Sequence, residues 1–94
     1  MYGTVARLRF DPADADSLVT NLVSQPMDID GFISGEILMS DSPGEAWLVV
    51  KFRDKESYTA NADSPQQHER YEAFRAFLSE DPEWFDGAWL NSGS

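Results

Sequence analysis

Residues 46–53, AWLVVKFR, put apolar side chains on both faces that a β-strand presents, Leu48 and Val50 on one and Trp47 and Val49 on the other. The first strand repeats the pattern more mildly: in GTVARLRF, residues 3–10, Ala6, Leu8 and Phe10 alternate with Val5, Arg7 and Arg9. A chain of 94 residues builds one domain around one core. Helices can cover one face of such a sheet, and its other face needs a different cover. This double-sided apolar pattern restricts the fold more than any motif in the chain.

The elements follow in order. Asp11 is a good N-cap, Pro12 suits the first helical position and Asp14 complements the helix dipole. These residues predict a helix to about Gln25, with Ala15, Leu18 and Leu22 inward, stopped by Pro26. MDIDG, residues 27–31, is a turn into a second strand over 32–40, and DSPGE, 41–45, turns that strand into a hairpin with the third. Facing Ser40 with Trp47 sets Glu36 opposite Lys51 and Ser34 opposite Arg53. The same register groups Ile33, Ile37 and Met39 with Phe52, Val50 and Leu48. Asp54 caps a short helix containing Tyr58 and Ala62, and Ser64-Pro65 starts a longer one reaching about Ser79. On the longer helix Gln67, Tyr71, Phe74, Phe77 and Leu78 share one arc. Pro82 stops it, and Ala88–Leu90 is expected as a short edge strand. The order β-α-β-β-α-β is a ferredoxin-like α+β unit, an antiparallel sheet with helices on one face. Residues 1–91 form the single domain and 92–94 a loose C-terminal tail.

The helices belong on the side of Ala6, Leu8, Ile37, Leu48 and Val50. Val5, Leu38, Trp47 and Val49 then remain bare, and a second copy of the sheet would cover them as a homodimer interface that also takes in Arg7. Four of the seven basic residues, Arg7, Arg9, Lys51 and Arg53, fall on this side. They read either as ion pairs with Glu36 and with acidic residues of the second copy, such as Glu83 or Asp86, or as an anion-binding site. A net charge of −10 argues against nucleic acid. The absence of cysteine removes disulfides and thiolate chemistry together. No apolar run approaches the ~20 residues of a membrane span. MYGTVARLRF reads straight into a strand, so no signal peptide and a cytoplasmic location are expected.

Three stretches carry a more particular likeness: GFISGEILMSD entering the hairpin, VVKFRDKESYTANADSP from strand into helix, and DPEWFDGAWL near the end. Together they resemble the antibiotic biosynthesis monooxygenase-like family of the dimeric α+β barrel superfamily. The likeness spans nearly the whole chain and is one of fold. It implies a homodimer whose sheets face one another, a ligand pocket between sheet and helices in each subunit, and cofactor-free oxygenation of phenols or quinols among the possible activities. It also implies a haem-degrading branch, from which this chain departs. The first strand offers Ala6, Arg7 and Leu8 where that branch has asparagine, and no tryptophan lies on the helix after strand three. Its haem-ligand position falls nearer Tyr71 than His68. No cofactor and no metal are expected.

Cofactor-free oxygenation asks for an apolar slot, a base or hydrogen-bond partner for a phenolate, and exclusion of water. The helix face of Tyr71, Phe74 and Leu78, set against small Ala6 and Gly35, leaves such a slot, with Asn61 and His68 at the rim and Trp84 approaching from the C-terminal turn. His68 and Tyr71 are the candidate catalytic residues; Asn61, Phe74, Leu78 and Trp84 are the candidate pocket. Each also has a plainer reading. Phe74, Phe77 and Leu78 are core by spacing, Tyr71 is a core ring with a wet hydroxyl, Asn61 is a helix-end residue and Trp84 is packing. His68, the only histidine, lies on the helix flank one turn before Glu72 and reads as an i,i+4 pair. The functional readings are accordingly two: a homodimeric monooxygenase-like protein acting on or binding an aromatic phenol or quinol, and a non-catalytic ligand-binding or regulatory dimer with a filled pocket.

Overall fold

Strand β1 (Tyr2–Arg9) sits inside the sheet because it pairs on both of its edges, with β3 (Glu45–Phe52) and with β4 (Glu83–Ala88). The computed structural model describes residues 1–24 and 28–90. The remaining elements are α1 (Ala15–Val23), β2 (Phe32–Met39), α2 (Lys55–Ala62) and α3 (Pro65–Arg75), and the antiparallel sheet runs β2-β3-β1-β4. This is the ferredoxin-like α+β arrangement expected from the sequence. The helix end expected at Gln25 and Pro26, the first residue of the 27–31 turn and the tail after Leu90 lie outside the described residues.

The inward face of the sheet is the more apolar one. Ala6, Leu8 and Ala46 are fully buried there, with Leu48 and Phe52 nearly so. Leu18 of α1 and Phe74 of α3 close over them, joined by Phe10 and Leu78. Local signals set the helix starts. The Asp54 carboxylate accepts from Ser57 N at 2.8 Å, and the Ser64 hydroxyl accepts from Gln67 N at 3.1 Å with Pro65 following in the first turn. The Ser57 amide, then its hydroxyl and Arg53, hold the Asp54 carboxyl below its ordinary pKa. Asp11 also caps, through Ala13 N at 2.9 Å, but it caps a 3-10 turn over Pro12–Asp14 that precedes α1.

Two details of the strands differ from expectation. In the hairpin, Ser40 N donates to Glu45 O at 3.0 Å, and Gly44 takes φ +84°. Glu45 therefore stands where the register had been expected two residues further on, and Glu36 pairs with Val49, Leu38 with Trp47 and Ser34 with Lys51. A two-residue shift leaves every side chain on its expected face, except at the irregularity between Phe32 and Ser34. There Ile33 turns outward and is 49% exposed, and Phe32 takes the inward place, its ring edge-on to Phe52 at 5.7 Å.

The last strand starts earlier than Ala88. Ser79 N donates to Arg9 O at 2.9 Å and brings the chain back beside β1. Pro82 has no N–H to offer the ladder, and pairing begins at the next residue, from Arg7↔Glu83 to Tyr2↔Ala88. Trp84 and Asp86 consequently point toward the helices, and Phe85 and Gly87 point away.

Gly3 and Gly87 face each other across β1 and β4 and make a controlled pair. A Cβ on Gly3 would run into the backbone carbonyl oxygen of Val50, whereas one on Gly87 meets nothing within 4 Å. Gly3→Ala should cost about 1–3 kcal/mol in denaturant unfolding, and Gly87→Ala should stay within about 0.5 kcal/mol. Equal effects at the two positions would contradict the close β1–β3 packing.

Candidate functional site

The core fills only part of the space under the helices. Where β1 and β2 present Thr4 and Gly35 inward, the side chains are too short to reach the helices, and a cleft of about 460 Å³ opens between sheet and helices. At Gly35 a Cβ would touch only the Phe32 ring, at 3.5 Å. Ile37, Leu48 and Val50 form the sheet side of the cleft, Leu22 and Val23 approach from α1, and Tyr58, Asn61, Gln67, His68, Arg70, Tyr71 and Phe74 come from α2 and α3. Two aromatic groups stiffen the walls. Tyr71, Phe74 and Trp84 stand 5.4, 6.1 and 6.5 Å apart, and Tyr58 packs on Tyr2 at 5.3 Å and on Phe52 at 5.6 Å.

Polar groups in this apolar setting come in small sets. Asn61 Nδ2 and Arg70 Nη1 both donate to Gln67 Oε1, at 3.2 and 2.9 Å, which ties α2 to α3 and holds a cation at the cleft. The Tyr58 hydroxyl donates to Asp86 Oδ1 at 2.9 Å, joining α2 to β4. Burial first, then the bond to Asp86 and its negative charge, push the Tyr58 phenol up to about 12. Thr4 is 3% exposed, and its hydroxyl makes no hydrogen bond of acceptable geometry. It nevertheless stands near enough to the Tyr58 oxygen to act slightly against that rise. His68 Nε2 meets Glu72 Oε1 at 3.0 Å, the expected i,i+4 pair, with the two side chains 72% and 67% exposed.

The structure brings together most of the residues singled out in the sequence. His68, Tyr71, Asn61, Phe74 and Trp84 all line the cleft, His68 at its wet edge; Leu78 lies in the core instead. Thr4, Tyr58, Gln67, Arg70 and Asp86 were not singled out as site residues. Tyr58 had one available signal, since it precedes Asn61 by three positions on one helix and so shares its face. Asp86 becomes visible only once β4 is known to begin at Glu83.

On the opposite side of the sheet Val5, Trp47 and Val49 are partly exposed and Leu38 is 66% exposed, as expected, and Phe85 joins them at 55%. The cations of this side find partners within one chain. Arg7 meets Glu45 at 3.1 Å and Glu83 at 3.8 Å, Arg9 meets Glu80 at 2.9 Å and Glu45 at 3.8 Å, and Arg53 meets Asp54 at 3.2 Å and Asp30 at 3.6 Å. Glu36 is not among these partners, because the register places it against Val49. Lys51 Nζ sits 5.2 Å over the Trp89 ring, and the Arg7 guanidinium 6.0 Å over Trp47. Among the described residues, no group of three or more His, Asp or Glu is placed to hold a metal ion, and no helix is long and apolar enough to cross a membrane.

No family model matches the chain, and no curated protein matches it either. Solved structures do. A candidate antibiotic biosynthesis monooxygenase from Chloroflexus aurantiacus superposes with a TM-score of 0.80 at 19% identity, over 99% of this chain and 96% of that one. Another from Nitrosomonas europaea gives 0.79 at 15% identity, over 97% and 100%. A Mycobacterium tuberculosis protein gives 0.76 at 21% identity, over 97% and 96%. At these identities the likeness is one of fold, and it matches the fold that the sequence resemblance implied.

The Tyr58–Asp86 bond has a pH signature. Because the folded-state pKa of Tyr58 is raised, its share of stability is complete below the ordinary value near 10 and is lost as pH climbs toward about 12. An ultraviolet tyrosinate titration of wild type minus Tyr58→Phe should show one phenol ionising near pH 12. A difference centred on the ordinary tyrosine value would contradict the geometry.

Proposed function

We propose that the chain is a small homodimeric, monooxygenase-like protein whose cleft binds an aromatic phenol or quinol and promotes its oxidation by dioxygen without a cofactor. The observation that carries this reading is the cleft itself: about 460 Å³, walled by Phe74, Tyr71 and Trp84, with a few polar groups set among apolar ones. Small-molecule sites have this size and lining, and a filled core would have spoken for the non-catalytic alternative. The solved structures that share the fold and are described as candidate antibiotic biosynthesis monooxygenases support the reaction class by analogy of fold. The bare apolar face with Leu38, Trp47 and Phe85 supports the dimer, since a second copy would remove it from water.

The chemistry needs little from the protein beyond position and a proton acceptor. A phenol or anthrone that has lost a proton is electron-rich enough to reduce dioxygen. Oxidation of a ring methylene to a carbonyl then places one oxygen atom in the product and the other in water, and the substrate supplies all four electrons. In this reading the reacting carbon lies against the apolar walls, away from the polar rim. His68, whose Nε2 meets Glu72, acts in this reading as a rim base through its other nitrogen, and Tyr71 is a hydrogen-bond partner for the phenolate. Arg70, held by Gln67, adds a positive charge that favours the deprotonated form. The large exposure of His68 favours a second reading, in which the cleft binds such a molecule and does not turn it over.

Oxygen uptake with a panel of hydroquinones and anthrones separates the two. Under the first reading the protein accelerates uptake with at least one of them. Tyr71→Ala should then cost about 2 kcal/mol of stability, part of the usual aromatic truncation penalty, and should weaken binding. His68→Gln should stay within about 0.5 kcal/mol. A loss of turnover in His68→Gln with an unchanged melt makes His68 the base. Binding without any acceleration of uptake leaves only the second reading.

A further inference from the structure

Every arginine of the chain except one is paired with a carboxylate. Arg7 and Arg9 share Glu45, Arg53 meets Asp54, and Arg75 meets Asp81 at 2.8 Å. Arg70, half-buried on α3 and part of the cleft wall, makes no ion pair among the described residues. In a chain with a net charge of −10 this is not for want of carboxylates. Asp86, the one carboxylate that lines the cleft, is bonded to Tyr58, and Glu72 on α3 meets His68. What holds Arg70 is neutral. Its Nη1 donates to Gln67 Oε1 at 2.9 Å, and the same oxygen accepts from Asn61 Nδ2 at 3.2 Å. A neutral tether fixes the direction of a cation and leaves its charge uncompensated.

We infer that Arg70 is the anion-recognising residue of the cleft, and that the ligand is an aromatic molecule carrying a carboxylate. A guanidinium presents five N–H donors in one plane and matches a carboxylate with two parallel bonds. Gln67 takes one donor of Arg70, two suffice for the carboxylate, and the rest are available to a phenol or phenolate oxygen beside it. One negative charge balances the single cation. A phosphate brings nearly two, which the chain's own negative charge opposes. The Tyr71, Phe74 and Trp84 rings receive the aromatic part. This inference rests on the reading of the cleft as an aromatic site and narrows it to aromatic acids, and the test separates the two.

The probes are 2-naphthoate and 2-naphthamide, two molecules of nearly one shape, titrated by calorimetry into the full chain near neutral pH. The amide reports on the apolar cleft, and the ratio of the two affinities reports on the charge at Arg70. Wild type should bind the naphthoate about tenfold more tightly than the amide, as a partly solvated bidentate pair gives. Arg70→Gln keeps the aliphatic stem and a good helix former, so it folds. It should bring the ratio to about one or below and leave amide binding within about twofold. Arg75→Gln removes the same charge from the same helix at a residue outside the cleft wall, and should keep the ratio near about tenfold. A ratio near one in wild type, a ratio undiminished in Arg70→Gln, or an equal loss in Arg75→Gln overturns the inference and leaves the cleft reading standing, provided the amide binds. Failure of both probes to bind wild type overturns the cleft reading and the inference with it.

Discussion

The pairing of β1 with β3 places two strands with apolar residues on both sides in the middle of one sheet, and the rest of the molecule answers to that. Helices α1 and α3 meet the inner side, where Ala6, Leu8, Ala46 and Phe52 disappear from water. At roughly 25 cal/mol per Å² of apolar surface, burial on this side is the main favourable term available to a domain of this size. The outer side keeps Leu38 and Phe85 mostly exposed and Trp47 half-buried beside Arg7. Among the described residues every helix lies on the other side and none covers them.

The inner side is not filled evenly, and the cleft arises from that unevenness. Large side chains from β1 and β3 meet α1 and α3 near Leu8 and Ala46, while Thr4 and Gly35 stop short further along. The Tyr71 and Trp84 rings each pack edge-on to Phe74 along one wall of the gap. Electrostatics then divide the cleft from the outer face. Tyr58, with its pKa pushed up to about 12, remains a neutral donor to Asp86 across the physiological range. On the outer side Arg7 and Arg9 share Glu45, and these partly exposed pairs are worth little each but leave fewer cations free for an external anion.

Most of the fold was legible in the sequence because its signals are local and agree with one another. Asp54 and Ser64-Pro65 mark helix starts by their own chemistry, and alternation in residues 3–10 and 46–53 assigns faces whatever the register. Register was harder. The turn at 40–45 has several ways to close, and the one adopted depends on Gly44 at positive φ and on a bond from Phe10 N to Gly44 O at 2.9 Å, a contact between segments distant in sequence. Strand β4 was harder still, because EWFDGA mixes polar and aromatic residues in both phases and reads as a strand only beside β1. The site inherits that limit. The residues on α3 follow from helical spacing, whereas the Thr4–Tyr58–Asp86 set is assembled by three elements and appears only when they are packed.

Under the proposed function this sheet has two working faces, one holding the cleft and the other meeting a second copy of the chain. Sedimentation of wild type beside Trp47→Glu addresses it most directly, because a glutamate there would carry a charge into an apolar contact at a cost of several kcal/mol. Wild type is predicted to sediment as a dimer at about 50 μM, and Trp47→Glu as a folded monomer or not to fold. A wild-type monomer at that concentration, or a dimer that survives Trp47→Glu intact, would contradict it.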